Sequence, residues 1–383
     1  MTDLIPNQRH LFDIPDDVAY LNCATMGPLP KAALEAGKAG LARKAQPWNI
    51  PAEDFFKDTT SLRPKLAQLI NADAAGIAFV PSVSYAMAAA AQNIALGKGQ
   101  TIITMADQFP SNIYVWRELA ARTGAELRTI TDPDGNMSLS DAMLEAIGPE
   151  TGLVTCAHVR WTDGTKLDLE AIGKRCREVG AALVLDLTQS CAAMVFDVNT
   201  VQPDFMVAAG YKWMFGPYAT GFMYVAPDRR EGQPLEHNWI TREGSRDFTQ
   251  LTNYRDTFAP GAQRYDMGER SNFALLPALE TAVDLLLEWG VANIEHTLGL
   301  QNRALAERLN AMGLPCPEED GRGAHYLGAL LPENTPADLT GRLKAEQIHV
   351  SKRNNSLRIT PHLYNTQDDM DALIDGLKRH LSR

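Results

Sequence analysis

The stretch Gly210-Tyr211-Lys212-Trp213-Met214-Phe215-Gly216-Pro217 sets one lysine among bulky apolar side chains, framed by small turn residues. A lysine in such company is rarely buried without a partner. Upstream, Val184-Leu185-Asp186-Leu187-Thr188-Gln189 reads as an apolar strand ending on an acid. A free lysine titrates near ~10.4, so to act as nucleophile or base near neutrality it must be desolvated or bonded as an imine. A buried lysine and a buried acid at the ends of adjacent strands suit pyridoxal phosphate (PLP). The lysine would form its Schiff base, and the acid would keep the ring nitrogen protonated so that the ring can absorb a carbanion's electrons. Displaced by an incoming amine, Lys212 would be free to move protons at the substrate Cα. The bland alternatives are a surface lysine snorkelling over Trp213 and a loop acid capping a helix.

Other segments fit the same chemistry. Gln189 could donate to the ring's phenolic oxygen, or be a solvated polar residue. Pro81-Ser82-Val83-Ser84 falls between a strand and a helix, where backbone N–H groups and the helix dipole hold phosphate. Serines there also serve simply as caps. Tyr211 could add a phenolic hydrogen bond to that phosphate. In Asp107-Gln108-Phe109-Pro110-Ser111-Asn112, Phe109 could stack on the pyridine face or be an ordinary core aromatic. The eight histidines lack metal-ligand spacing, and His158, His325, His349 and His362 read as structural. No metal site is expected. No Gly-x-Ser-x-Gly elbow, Walker loop or dinucleotide glycine fingerprint is present.

These residues need a scaffold that brings strand ends together. Short apolar runs at 76–80, 100–105, 126–130, 152–157, 182–187, 205–209 and 220–225 alternate with helical patterns at 84–96, 111–123, 138–147 and 169–179. Strands apolar on both faces, alternating with helices, predict a mostly parallel sheet covered by helices. From Leu275 to Met312 the pattern is helical, broken at Gly290. Beyond it a smaller α+β unit is expected. Its strands are placed at 325–331, 348–351 and 356–360, with a helix opened by Thr335-Pro336 and a last helix opened by the capping box at Thr366. The expected division is a large cofactor-binding domain over 17–274 and a small C-terminal domain over 275–383, with 1–16 packing on the latter.

At 383 residues two domains are the natural prior. A net charge of −11 without a long basic run argues against nucleic acid as a partner. Five scattered cysteines, no Cys-x-x-Cys pair and no signal-like leader predict a cytoplasmic chain. No apolar stretch approaches the ~20 residues of a membrane span.

With these motifs in this order, the chain resembles the class V aminotransferases of fold-type I PLP enzymes, the group that holds cysteine desulfurases, kynureninase and isopenicillin N epimerase-like proteins. The likeness runs from Tyr20-Leu21-Asn22-Cys23-Ala24-Thr25-Met26-Gly27-Pro28 to Arg358-Ile359-Thr360-Pro361-His362-Leu363-Tyr364-Asn365. It implies a three-layer α/β/α large domain with a mostly parallel seven-stranded sheet and a smaller α+β C-terminal domain. It further implies that Lys212 is the Schiff-base lysine, Asp186 the pyridinium partner, Gln189 the phenolic-oxygen contact and Ser82, Val83 and Ser84 the phosphate cup. Arg358 matches the family arginine that grips the substrate α-carboxylate, and Asn22 and Trp161 fall on the substrate side. Gly268, Ser271 and Asn272, within Arg264–Asn272, resemble the stretch that reaches into a partner's site, which implies a homodimer.

Several positions depart from the pattern. Phe109 replaces a frequent stacking histidine, Ala209 a frequent hydroxyl residue and Trp161 the desulfurase asparagine. Desulfurases carry a mobile cysteine in the C-terminal domain; here that region offers Cys316, stiffened by Pro315 and Pro317, so a persulfide mechanism is not expected. Transamination, β-elimination and epimerisation all begin with removal of the Cα proton and differ afterwards. Aminotransferase is the first expectation, a carbon–sulfur β-lyase the second and an epimerase the third, with a non-enzymatic regulatory protein of the same fold as the alternative from another class.

Overall fold

The structure is a computed structural model describing residues 2–131 and 137–381. Met1, residues 132–136, and 382–383 at the end of the expected small domain lie outside the described residues. Twelve strands are found among the described residues. They are β1 (Ala19–Tyr20), β2 (Ile77–Phe79), β3 (Thr101–Met105), β4 (Glu126–Ile130), β5 (Thr151–Ala157), β6 (Ala182–Asp186), β7 (Phe205–Ala209), β8 (Gly221–Val225), β9 (Leu327–Leu330), β10 (Ile348–His349), β11 (Ser351–Arg353) and β12 (Ser356–Ile359).

Seven of them form one sheet in the order β2-β8-β7-β6-β5-β3-β4. Every pairing from β7 to β4 is parallel, and β8 runs antiparallel to both of its neighbours. The period of two in the strands separates two cores. Ile103, Val154, Leu183, Leu185 and Met206 face one layer, with helices Leu139–Ala146, Leu169–Val179 and Leu275–Trp289. Ile102, Leu153, Val184, Phe205 and Val207 face the other, with helices Val83–Asn93 and Tyr114–Thr123. Strands β3 and β5 to β8 are buried along their whole length, whereas β4 has no buried residue. It is an edge strand, and Glu126 and Arg128 keep that edge charged, which discourages pairing with other chains.

The C-terminal part departs from the sequence reading in one respect. The run expected as one strand over 348–351 is two. β10 pairs parallel with β1, and β11 pairs antiparallel with β12, which continues to β9. Each half obeys a different neighbour, and no local pattern could signal that. The last helix does start on a capping box: Asp369 N–H donates to Thr366 Oγ1 at 3.2 Å, and Thr366 N–H to Asp369 Oδ2 at 3.0 Å. The N-terminal segment is strapped to the same region. Gln8 N–H donates to Leu363 O at 2.8 Å and Arg9 pairs with Asp369 at 2.9 Å.

Two buried polar features hold the frame. Asp266, wholly buried, bridges Arg63 (2.7 Å) and Arg270 and accepts the Phe79 N–H at 2.7 Å, tying helix Asp54–Gln68 and the end of β2 to the segment after Tyr265. His325 and His362 are buried against Trp213 and Phe215 of the Lys212 loop, and His158 is buried beside Phe196. Burial pushes His158 down to about 4 and His325 and His362 down to about 3. Among the described residues one nitrogen of each ring has no hydrogen-bond partner, consistent with neutral imidazoles.

Replacing Asp266 by Ala leaves two buried cations unpaired and is expected to lower the urea unfolding free energy by about 3–5 kcal/mol. A loss under about 1 kcal/mol would show that the triad contributes little. The histidines predict a pH dependence as well. The unfolded chain gains protons below about pH 6.5 that the folded chain refuses until about pH 3–4. Their stabilisation is therefore complete above pH 6.5 and lost as the pH falls. Urea midpoints should drop between pH 7.5 and 5.5, and a flat profile would contradict neutral burial.

Candidate active site

The parallel strands deliver the expected residues to one edge of the sheet. Phe109 follows β3, Trp161 follows β5, Asp186 ends β6 and Lys212 stands just beyond β7. Val83 opens the helix after β2, at the same edge. Strand order reverses between β3, which leads outward to β4, and β5, which leads back towards β6 and β7. That switch point is where open α/β sheets bind ligands. Here it forms a cleft open to solvent, lined by Val83, Phe109, Trp161, Asp186, Gln189 and Lys212 among others.

The Lys212 loop is closed by its glycines. Gly210 N–H donates to Thr220 O at 2.7 Å and Gly216 N–H to Gly210 O at 2.8 Å. A Cβ at Gly27 would lie 2.1 Å from Lys212 O, so the Cys23–Gly27 segment can pack directly against the loop. Lys212 is 7% exposed, and its Nζ lies 5.5 Å from the Phe109 ring centre and 5.6 Å from that of Tyr211. Burial pulls its pKa down to about 8; Asp186 opposes that fall, while Arg358 and Arg353 add to it. Among the described residues no ion pair joins Lys212 to Asp186, although both line the cleft.

Asp186 is buried, which raises its pKa, while hydrogen bonds from Thr188 and the charge of Lys212 lower it. The Thr188 N–H donates to Asp186 Oδ1 at 2.9 Å, and Thr188 Oγ1 accepts from Ala209 N–H at 3.1 Å, linking the acid to the end of β7. Gln189 is held on both sides: Nε2 donates to Ala24 O at 3.1 Å and Oε1 accepts from Trp213 Nε1 at 3.0 Å. One Nε2 hydrogen remains for the cleft. Behind it, His325 Nε2 contacts Gln189 O at 2.5 Å and its ring meets Trp213 edge-on at 4.2 Å.

Ser82 caps helix Val83–Asn93, its Oγ accepting from Tyr85 N–H at 3.2 Å and lying 3.0 Å from Ser84 Oγ. The capping alternative is thus realised, and the first-turn amides of the helix remain without intrahelical partners. Tyr211 packs its ring against Tyr218 at 4.7 Å.

Of the residues expected to face a substrate, Arg358 is 1% exposed. It donates to Ser351 Oγ (2.9 Å), Trp161 O (2.8 Å) and Thr25 Oγ1 (2.7 Å). Asn22 Oδ1 accepts from both of those hydroxyls, at 2.8 and 3.0 Å, which turns their lone pairs towards the arginine. Asn22 therefore orients Arg358 in this structure. Trp161 donates from Nε1 to Asp107 O at 2.6 Å and meets Phe109 edge-on at 5.4 Å.

Gly268, Ser271 and Asn272 all have partners within the chain. Gly268 N–H donates to Glu236, Ser271 Oγ to Phe55 O, and Asn272 Oδ1 accepts from Ala274 and Leu275 N–H at the start of a helix.

Two residues without a signal of their own in the chain also stand at this cleft. Gln108 lines the cleft with Nε2 buried and unpartnered among the described residues. Arg353 stacks on Trp161 at 5.4 Å. Its position across a hairpin from Arg358 was a usable signal once two strands were placed there.

An orphaned donor, a buried acid, a desolvated lysine and an arginine without an acidic partner together fit PLP with an amino-acid substrate. The comparisons agree. Isopenicillin N epimerase of Streptomyces clavuligerus is 26% identical over 94% of both chains. A probable cysteine desulfurase of Methanothermobacter thermautotrophicus is 30% identical over 96% of both. Kynureninase of Deinococcus radiodurans is 30% identical over 74% of this chain and 69% of its own. Among solved structures, a mutant of C-DES with glycine covalently linked to its PLP cofactor superposes with a TM-score of 0.87 at 21% identity, covering 97% and 98% of the two chains. The apo cysteine desulfurase of Thermococcus onnurineus gives 0.85 at 19%, covering 99% of each; at these identities the likeness is one of fold. The aminotransferase class-V family matches residues 40–373, so the chain belongs to that family.

Proposed function

We propose that the chain is a PLP-dependent enzyme acting at Cα of an amino acid, with transamination as its reaction. The observation that carries this reading is a buried lysine of lowered pKa facing a buried carboxylate across a cleft at the carboxyl ends of parallel strands. When bound, PLP supplies an electron sink for the pair left behind when the Cα proton departs. Asp186 would hold the ring nitrogen's proton, Phe109 cover a ring face and Gln189 meet the phenolic oxygen. The amides of Val83 and Ser84, with the Ser82 and Ser84 hydroxyls and Tyr211, would hold the phosphate at the helix N-terminus. Arg358, oriented by Asn22 through Thr25 and Ser351, would take the α-carboxylate bidentately beside Trp161. Lys212, whose neutral form is accessible near pH 8, would remove the Cα proton and return it elsewhere.

Cys316 supports the absence of a persulfide step. Its thiol is half-buried and raised to about 11 by burial, and its neighbours are Leu314 and Asn310. A cytoplasmic location rests on five cysteines that are all free. A homodimer, with Gly268, Ser271 and Asn272 near the partner's cleft, is supported by exposed apolar side chains such as Leu41, Trp48 and Tyr254.

The purified protein should carry a visible absorption band that borohydride bleaches and Lys212→Ala lacks. A colourless protein that takes up no added PLP would sink the reading. With amino and keto acids, exchange between the two classes supports transamination. Release of pyruvate and ammonia would replace it by β-elimination, and inversion at Cα without either by epimerisation. In the cofactor-free chain, acylation of Lys212 followed by mass spectrometry should rise with a midpoint near pH 8. Asp186→Asn removes the anion that favours the charged lysine, so its midpoint should move lower still; a midpoint near ~10.4 would show an exposed lysine.

A further inference from the structure

We propose that Arg353 is a second carboxylate-binding residue, and that with Arg358 it selects amino acids bearing an acidic side chain. The inference rests on the reading of the cleft given above and adds the substrate class. In the β11–β12 hairpin Ser351 stands opposite Arg358 and Arg353 opposite Ser356. Side chains alternate along a strand, so Ser351, Arg353 and Arg358 share one face. Both guanidiniums lie over the ring of Trp161, Arg353 at 5.4 Å and Arg358 at 5.8 Å. Trp161 itself lines the cleft.

The charge at this face is not balanced. Arg358 donates to two hydroxyls and a carbonyl, all neutral, and Arg353 donates to the carbonyl of its neighbour Lys352 at 2.7 Å. Neither pairs with an acid among the described residues. Their charges reach Lys212, whose protonation both oppose. One α-carboxylate can neutralise one arginine. The second, half-buried and still carrying free donors, is left with a charge that a further carboxylate would satisfy, and the planar fork suits that group. A purely structural Arg353, stacked on Trp161 by cation–π attraction, would show no preference for acidic ligands.

The test is the dissociation constant of L-glutamate against L-glutamine, and L-aspartate against L-asparagine, read from the visible absorption of the PLP-loaded protein. In the native chain at least one acid should bind about tenfold to a hundredfold tighter than its amide. Arg353→Gln should bring that ratio to about one while changing L-alanine binding far less. Calorimetric titration of glutarate against butyrate repeats the comparison with ligands that have no amine to react, and glutarate should lose its advantage in the same variant. Equal binding of acids and amides by a protein that does respond to amino acids would overturn the proposal, as would a ratio that survives Arg353→Gln. Loss of the visible response with an Arg353-dependent glutarate preference retained would instead sink the cofactor reading and leave the arginine pair standing.

Discussion

Lys212 and Asp186 are both kept from water at the carboxyl edge of one sheet, and the surrounding structure is arranged around that cost. A lone buried ammonium loses its proton readily, and a lone buried carboxylate gains one. Each here is the main charge that favours the other's ionised state. Holding them near each other without a direct ion pair requires rigid backbone on both sides. Thr188 links the end of β6 to the end of β7, and the Gly210–Gly216 turn closes the lysine loop. The absence of a side chain at Gly27 lets the N-terminal segment cover it.

The second layer of support is apolar and neutral. Trp213 hangs from Gln189, His325 sits behind both, and His362 packs edge-on to Phe215 at 4.5 Å. Neutral imidazoles there add no competing cation next to Lys212, and the polar atoms they bring are partly satisfied by backbone. The C-terminal hairpin does the opposite: it brings cationic charge to the cleft and leaves it unbalanced. Arg358 is held by hydroxyls oriented by Asn22, so its direction is set before any ligand arrives, a form of preorganisation that favours binding.

Much of this could be read along the chain. All seven strands of the large sheet fell where expected: six are buried along their length and write a continuous apolar signal, whereas the edge strand β4 shows only Leu127 and Ile130 as apolar positions. The lysine and the acid stood out because ionisable residues inside apolar runs are rare. The capping box at Thr366 was legible because its hydrogen bonds span only three residues. The split of 348–353 between two sheets was not, nor was the buried bridge of Arg63, Asp266 and Arg270, whose members come from distant parts of the chain.

The sequence alone therefore determined the layered α/β class and the family, and singled out one lysine and one acid as candidates, since each depends on local pattern or on motif order. Which side chains meet was decided by the tertiary structure. Asn22 orients Arg358 instead of standing free, Gln108 brings an unpartnered donor to the cleft, and Arg353 joins Arg358 over Trp161. Such contacts follow from strand order and hairpin register, which arise from long-range packing and leave no trace in local composition.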